Sequence, residues 1–316
     1  MIKHMLPIAL ALLLVCGLAT APAQAQLSRT FVSSVSGNDA NDCNRLTPCR
    51  TLQDAHDKTN DEGEITVLDP GGYGGVTITK SISIVNAGGG EAGILVSAGT
   101  TGVTIDAPAT ASVSLRGLAI QGSGFGGSTG LVFNSGQALT LTNCVIRDHT
   151  ADGIEFMPTG SSRLALANTL VADNGGFGIV VQPSGAGAVT AELDRLEIHN
   201  NISVGLLVNG EDSTGTVDAI VRDSVAANNG YGLFVNSTAE RAPTSLTMVR
   251  SVAADSRGNG IVATGPTATL RIGASTITGN LTGWAVRGGA VLQSFGDDEI
   301  AGSGDRHHAP PMVRGK

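Results

Sequence analysis

The chain has 316 residues and a formal net charge of −8; 44 residues are glycine and only 3% are aromatic. The glycines follow no every-third-residue period, which excludes a collagen-like triple helix, and the acidic balance argues against nucleic acid as a general partner. Val, Ile, Leu and Ala are plentiful, so the composition favours a core built from small aliphatic side chains.

Residues 1–25 have the pattern of a secretory signal peptide. Lys3 precedes the apolar run IALALLLVCGLA, and small residues lead up to Ala25, so we predict cleavage before Gln26. Removing Lys3 leaves 18 basic and 27 acidic residues, a formal charge of −9. The mature chain is therefore predicted to be secreted or periplasmic.

A lipoprotein signal is the alternative, with Cys16 as the lipidated residue. It is less favoured because Val15 occupies a position where such signals carry a small residue. No other apolar run approaches the roughly 18 residues of a transmembrane helix, so we predict no membrane span in the mature chain.

Two cysteines near the mature N-terminus predict a disulfide. Cys43 and Cys49 lie six residues apart in NDCNRLTPC, as in a small loop disulfide of an exported protein. A zinc site is the alternative, but it needs two more ligands and only His56 lies nearby. Cys144, in TNCVIRD, is read as a small buried hydrophobe.

The segment TPCRTLQDAHDKT predicts a short helix. Thr47 suits the cap and Pro48 the first position, and Leu52 and Ala55 provide an apolar side. A helix here would cover the end of a sheet and block edge-to-edge association. The following stretch, EITVLDPGGYGGVTITKSISIVN, alternates apolar and polar residues as strands do.

A recurrent glycine divides the rest of the chain into units of about 25 residues. Successive steps are 23, 25, 27, 27, 28 and 23 residues, and apolar residues stand one and three positions after the glycine, which predicts a strand. Short strands of this kind bury their apolar side only by stacking on the next unit. The glycines are Gly130, Gly153, Gly178, Gly205, Gly232, Gly260 and Gly283.

Two further apolar positions in each unit predict two further strands. Three short strands per unit, with no helical period, predict an all-β, right-handed parallel β-helix. Twelve residues before the glycine stand Leu141, Leu166, Leu193, Ile220 and Met248, and seven before it Ile146, Val171, Ile198, Val225 and Ala253.

Short polar residues recur four positions before the glycine, which predicts a ladder at a buried corner. Side chains stacked there would satisfy backbone groups that cost about 1–3 kcal/mol when left unpaired. Ligand binding is the less favoured interpretation. The residues are His149, Asn174, Asn201, Asn228 and Ser256.

Three arginines recur ten positions before the glycine, at Arg195, Arg222 and Arg250, after Asn143 and Asn168. Like charges stacked about 4.8 Å apart are unfavourable unless a negative group intervenes. In one interpretation the arginines pair with neighbouring aspartates in solvent. In the other they bind an acidic polysaccharide through guanidinium forks.

Acidic residues provide only weak indications of catalysis. Asp148 and Asp173 occupy consecutive corners, which is too few for a convincing calcium site, and we interpret them as turn residues. The GDD at 296–298 resembles a hydrolase motif but falls in the last unit, so we interpret it as a closing turn. Glu211 and Asp212 are the loop carboxylates that a catalytic cluster would use.

The stretches FVSSVSGNDANDCNRLTPCRTLQDA and GEITVLDPGGYGGVTITKSISI resemble the N-terminal region of bacterial secreted β-helix proteins of the pectin-lyase-like superfamily. The chain is more closely similar to an uncharacterised group that shares this start and ends in a rung like SFGDDEIAGSG. The resemblance implies a β-helix domain over residues 26–302, and we expect the patternless tail, 303–316, to be disordered.

The resemblance implies little about activity, because the superfamily includes lyases, hydrolases, epimerases and non-catalytic adhesins. We favour an exported β-helix that binds or scaffolds extracellular or envelope polysaccharide without catalysis and without a cofactor. The alternative is a lyase acting on an acidic polysaccharide, with one of the arginines as base; calcium enters only under that alternative. The sequence does not specify an oligomeric state.

Overall fold

The computed structural model describes residues 27–88, 90–124, 126–304 and 310–313, so the predicted signal peptide lies outside the described residues. Within these ranges the chain forms three parallel sheets that run along one solenoid, together with one short helix. Each complete rung contributes one strand to sheet A, then one to sheet B, then one to sheet C. The predicted three-strand parallel β-helix is confirmed.

Sheet A has the longest stack, and its strands neighbour one another in chain order. They are Leu27–Val32, Thr59–Val67, Ile82–Asn86, Ser112–Arg116, Ala138–Thr142, Ser162–Ala167, Ala188–Asp194, Thr216–Arg222, Thr244–Val249, Ala268–Gly273 and Val291–Ser294.

Sheets B and C are built in the same way from shorter strands. Sheet B consists of Gly71–Gly72, Ala92–Leu95, Leu118–Gln121, Val145–Arg147, Leu170–Ala172, Glu197–His199, Val225–Ala227, Val252–Ala254, Thr276–Thr278 and Glu299–Ile300. Sheet C consists of Val76–Ile78, Thr101–Asp106, Thr129–Ser135, Ile154–Phe156, Ile179–Val181, Val204–Asn209, Tyr231–Asn236, Asn259–Thr264 and Thr282–Arg287.

The helix, α1, spans Leu52–Lys58 and begins later than predicted. Thr51 is its N-cap and accepts from the Asp54 N–H, whereas Thr47 lies in the preceding loop and donates to Asp42 Oδ1 at 2.6 Å. The predicted start was wrong because Cys49 is still paired with the first strand of sheet A. The helix packs against the first strands of sheets A and C, so it covers the N-terminal end as expected. Among the residues described, no helix is long and apolar enough to cross a membrane.

The predicted disulfide is present. Cys43 and Cys49 are bonded to each other and fully buried. His56, the one nearby candidate for a zinc ligand, is engaged elsewhere: its Nε2 accepts from the Thr79 N–H at 3.2 Å. Cys144 is a buried free cysteine, and burial raises the pKa of its thiol, as expected of a small hydrophobe.

A ladder of asparagines lines the corner between sheets B and C. Asn174 Nδ2 donates to Asn201 Oδ1 at 2.8 Å, and Asn201 Nδ2 donates to Asn229 Oδ1 at 2.9 Å. The ladder continues to Asn280, which accepts from the Ser256 N–H. These amides are buried, so they satisfy corner backbone groups that water does not reach.

The ladder residue in the fifth unit is Asn229, and the assignment to Asn228 was wrong. Asn228 is exposed, with φ of 58°, whereas Asn229 is fully buried. Two residues separate Asn229 from Gly232, but three separate Asn201 from Gly205. Counting back from the glycine therefore slips by one residue in this unit. For the same reason Ala226 and Val221 face the core where Val225 and Ile220 were predicted.

A second ladder, of hydroxyl groups, lines the corner between sheets A and B. Ser224 N–H donates to Ser251 Oγ at 3.1 Å, and Ser251 N–H donates to Ser275 Oγ at 3.2 Å. The ladder ends where Ser275 N–H donates to Asp298 Oδ1 at 2.9 Å, and Ala274 N–H donates to Asp297 Oδ1 at 2.8 Å. The two aspartates of the GDD segment therefore close the stack, which agrees with the interpretation of this segment as a closing turn.

Part of the C-terminal tail is ordered, which corrects the prediction for residues 310–313. Ser294 N–H donates to the Pro311 carbonyl and Val313 N–H donates to the Ser294 carbonyl, at 2.9 and 2.8 Å. This segment pairs with the last strand of sheet A. Residues 305–309 and 314–316 lie outside the described part of the chain.

Candidate functional site

The three arginines do not form one column. Asp223, rather than Arg222, stands between Arg195 and Arg250 at the corner between sheets A and B. Arg222 lies one position earlier, at the end of its sheet A strand, paired in register with Asp194. The count back from Gly232 is off by one residue at Arg222, as it is at Asn228. The predicted equivalence of the three arginines was therefore wrong.

Each of these arginines contacts a carboxylate. Arg195 Nη1 lies 2.5 Å from Asp194 Oδ2, and Arg222 Nε lies 3.4 Å from Asp194 Oδ1. Arg250 Nη2 lies 2.8 Å from Asp223 Oδ2. The arrangement is the one expected if the arginines pair with their neighbours in solvent.

The charges of this network balance. Arg222 also lies 3.9 Å from Glu192, so three guanidinium groups face three carboxylates. The Arg250 guanidinium holds the pKa of the Asp223 carboxyl below its usual value. A network without net charge provides little long-range attraction for an acidic polymer.

Acidic and amide side chains form a column of exposed or partly exposed residues at the corner between sheets B and C. Each residue has φ between 52° and 61°, a left-handed conformation that Asp and Asn adopt more readily than most residues. This accounts for the residue types without a ligand. The column consists of Asp148, Asp173, Asn200, Asn228 and Asp255.

A groove of about 550 Å³ runs along this column, and its two aspartates each accept a hydrogen bond within the chain. Asp148 accepts from Ser123 Oγ at 2.5 Å, and Asp173 accepts from Asn200 Nδ2 at 2.9 Å. Among the described residues, the one group of three potential ligands at metal spacing includes the two disulfide-bonded cysteines. We therefore derive no metal-dependent step.

The outer face of sheet C carries a pair of carboxyl groups that the sequence analysis missed. Glu155 Oε1 accepts from Thr129 Oγ1 at 3.1 Å, and Asp152 Oδ1 accepts from the Phe177 N–H at 2.6 Å. Burial and the nearby charge of Asp152 raise the pKa of Glu155 above its usual value.

Aromatic and aliphatic side chains continue this face along the stack. Phe177 occupies the position of Asp152 one rung further on, and Tyr231 has the same position two rungs beyond Phe177. The rings of Tyr231 and Phe234 lie 6.2 Å apart and are tilted by 53°. All three aromatic side chains are partly exposed, as is Leu207 beside Phe234. They form an apolar surface several rungs long.

Polar side chains border the apolar surface along the loops between sheets C and A. Gln182 Nε2 donates to Asp212 Oδ2 at 2.6 Å, and Asn236 Nδ2 donates to Glu211 Oε2 at 3.0 Å. Glu211 and Asp212, the loop carboxylates identified from the sequence, therefore lie beside this face. Within the described strands of sheet C, Arg287 is the one Lys or Arg residue.

The comparisons with known proteins identify the fold. A family profile described as a right handed beta helix region matches residues 76–218. Pectate lyase Pel9A is 15% identical, with a TM-score of 0.61, over 87% of this chain and 76% of that chain. No curated protein sequence matches the chain.

Two alginate epimerases are also similar. The A-module of mannuronan C-5 epimerase AlgE4 from Azotobacter vinelandii is 14% identical, with a TM-score of 0.47, over 80% of this chain and 91% of that one. A point mutant of the periplasmic alginate epimerase AlgG is 13% identical, with a TM-score of 0.48, over 76% of each chain. The similarity to Pel9A shows a shared architecture alone, and function has to be argued from the site.

Proposed function

We propose that this chain, with the right-handed β-helix fold it shares with pectate lyase Pel9A, is an exported protein that binds extracellular glycan without cleaving it. The observation that carries the proposal is the outer face of sheet C. There the partly exposed rings of Phe177, Tyr231 and Phe234 lie beside carboxyl and amide groups. Sugar rings present apolar faces and hydroxyl edges, and a surface of this composition complements both.

Export is part of the same proposal. The buried disulfide between Cys43 and Cys49 suits an oxidising compartment outside the cytoplasm. It agrees with the N-terminal signal pattern, which lies outside the described residues.

The electrostatics of the face favour a neutral glycan. The Asp152 and Glu155 carboxyls lie on it, Glu211 and Asp212 border it, and Arg287 stands near its far end. An acidic polymer would meet like charges here. The arginine network, which was one candidate site for an acidic polysaccharide, is internally paired.

The described residues favour binding over catalysis. Glycosidase carboxyls act on a sugar from positions roughly 5–9.5 Å apart, whereas Glu155 and Asp152 are each held by a hydrogen bond within the chain, from Thr129 Oγ1 and from the Phe177 N–H. A lyase needs a free basic group beside the sugar carboxylate, and Arg195, Arg222 and Arg250 are each paired with an acid. We therefore propose neither a cofactor nor calcium for this protein.

The experiment is affinity electrophoresis of the mature protein in gels containing neutral or acidic polysaccharides. We expect retardation by a neutral glycan, and loss of that retardation in the double variant Tyr231→Ala/Phe234→Ala. The control is Leu46→Ala, which removes a side chain that is 92% exposed on a distant loop. The proposal would be contradicted if both variants were retarded equally, or if no gel retarded any of the proteins.

Ultraviolet absorbance during incubation with uronate polymers tests the lyase alternative separately. A lyase produces an absorbing unsaturated sugar. We expect no increase, and an increase that Arg→Ala substitution at position 195, 222 or 250 abolishes would establish the enzyme instead.

A further inference from the structure

Sheet B has an outer face that is nearly free of charge. The middle residue of each strand points into the core, and the two flanking residues point outward. Of the twelve outward residues in six consecutive strands, Arg147, Glu197 and His199 are the charged or titratable ones. The first column is Ala119, Val145, Leu170, Glu197, Val225 and Val252, and the second is Gln121, Arg147, Ala172, His199, Ala227 and Ala254.

The larger apolar side chains of this face are accessible, whereas Ala119, Ala172 and Ala254 are at most 8% exposed. Val145, Leu170, Val225 and Val252 are partly exposed, and Leu95, which precedes Gln121 in the second column, is 45% exposed. In-register stacking of short strands makes the face a strip two residues wide and several rungs long. Two such strips can pack with their side chains interdigitated, as the inner faces of two packed sheets do.

The charged residues Arg147 and Glu197 lie on opposite sides of the central strand, Leu170–Ala172. Arg147 is one rung before it in the second column, and Glu197 is one rung after it in the first column. Glu197 shares its rung with His199, and their side chains lie 3.9 Å apart. The Glu197 side chain is 70% exposed, so most of its charge faces solvent.

Arg147 makes only weak contacts within the chain. Its Nη2 donates to Gln121 Oε1 at 3.4 Å, and its Nε lies 3.7 Å from Asp148. The Nε has no hydrogen-bond partner within the described residues. Both Arg147 and Glu197 therefore retain capacity for a stronger partner.

A two-fold axis along the central strand makes this face self-complementary. Such an axis lies in the plane between two facing copies. It places each column of one copy opposite the same column of the other copy, with the rungs in reverse order. It therefore places Arg147 of one copy directly opposite His199 of the other, and Val145 opposite Glu197, twice. Glu197 is then one outward position to the side, which a long arginine side chain can span.

The same axis pairs large side chains with small ones in the outer rungs. Leu95 falls opposite Ala254, and Ala119 falls opposite Val225, in both halves of the interface. Gly93 likewise faces Val252. We propose that sheet B is a homodimer interface in which a second copy of this chain packs face to face, with the two solenoids antiparallel.

The size of the face sets the strength of this contact. Seven strands, each about 10 Å wide and stacked about 4.8 Å apart, offer a few hundred Å² per copy. Stable interfaces bury about 800 Å² per partner. We therefore expect a reversible dimer with a dissociation constant in the micromolar range or weaker.

Sedimentation velocity over a concentration series tests the interface. We expect concentration-dependent dimerisation of the mature protein that weakens with added salt. Arg147→Glu and Glu197→Arg each bring like charges together across the axis, so either should weaken dimerisation at least about tenfold. The double variant Arg147→Glu/Glu197→Arg restores opposite charges and should dimerise within about threefold of the parent.

The matched control is Arg163→Glu, the same charge change at an exposed position on a strand of sheet A, which should leave dimerisation unchanged. A chain that stays monomeric at every concentration would overturn the proposal. So would a dimer that neither single variant weakens, because it would then form through another face. Melting temperatures identify any variant that fails to fold.

Discussion

Arg250 and Asp223, on neighbouring rungs of one corner column, form a two-pronged ion pair. Arg250 Nε donates to Asp223 Oδ1 and Nη2 donates to Oδ2, both at 2.8 Å. A fork of this kind is the strongest geometry for an arginine and a carboxylate. It replaces the stack of like charges expected from the sequence with alternating charges, which neutralises the column locally.

Removing this carboxylate should create the basic stripe that the natural chain lacks. In Asp223→Ala, Arg250 loses its partner, and Arg195, Arg222 and Arg250 face only Glu192 and Asp194. We expect stronger retention on an acidic polysaccharide gel than for the parent, most clearly at low salt.

The comparison for this prediction is the triple Arg→Ala variant at positions 195, 222 and 250. It should change retention little, because the paired arginines contribute little attraction. If the triple variant loses a strong retention that the parent shows, the arginines bind the polymer in the natural protein.

The buried ladder should dominate the response of the chain to asparagine substitution. Asn201 donates to Asn229 Oδ1 and to the Val171 carbonyl, and it accepts from Asn174 Nδ2. Asn201→Ala leaves several buried groups unpaired, so we expect a loss of roughly 2–4 kcal/mol in the free energy of unfolding. Urea denaturation measures it.

Asn228→Gly is the matched control for the ladder. Asn228 is exposed and has φ of 58°, a conformation that glycine adopts without strain. Its free energy of unfolding should stay within about 0.5 kcal/mol of the parent. A large loss at Asn228 would place it in the ladder after all.

The sequence predicted the fold because every rung repeats the same alternation, and stacked strands reinforce one another. It failed at single residues where two candidates stand together. In both pairs, Asn200–Asn201 and Asn228–Asn229, the second asparagine is buried, but the connection to Gly232 is one residue shorter, so the count from that glycine falls on the exposed member. A count from one glycine cannot detect a shortened connection inside its own unit.

The carboxyl pair on sheet C could not be predicted in the same way. Asp152 lies just before one strand and Glu155 within it, at outward positions where other rungs carry Phe177, Val180 and Leu207. Outward positions are free to vary because they do not pack in the core. The proximity of the two carboxyls follows from the backbone path and not from any repeat.

His149 should make the protein less stable in mild acid. It is 2% exposed at the N-terminal end of the ladder, its Nε2 lies 3.3 Å from the Ile120 carbonyl, and its Nδ1 has no hydrogen-bond partner within the described residues. Burial lowers its pKa below the ordinary value, more than the Ile120 contact and the Asp148 charge raise it. The unfolded chain therefore binds a proton more readily, and stability should fall as pH decreases below about 6.5.

His149→Asn tests this prediction, because asparagine fits the ladder and does not titrate. The variant should lose part of the decrease in melting temperature between neutral pH and mild acid. His56, whose pKa burial also lowers, would account for the remaining part. An unchanged pH profile would show that His149 does not titrate on unfolding.

Glu155 should act in the opposite direction. Burial and the Asp152 charge raise its pKa, so the folded chain holds its proton more tightly than the unfolded chain does. Its contribution to stability is then greatest below the unfolded pKa of about 4.3 and decreases as pH rises through the folded value. Glu155→Gln resembles the protonated form and should raise the melting temperature at neutral pH.

Glu197→Gln is the control for Glu155→Gln, since it removes an equal charge from a side chain that is 70% exposed. It should leave the melting temperature of the monomer nearly unchanged at low protein concentration. If Glu155→Gln is no more stable than the parent at neutral pH, Glu155 is ionised there without cost. The carboxyl pair would then be an ordinary solvated feature of sheet C.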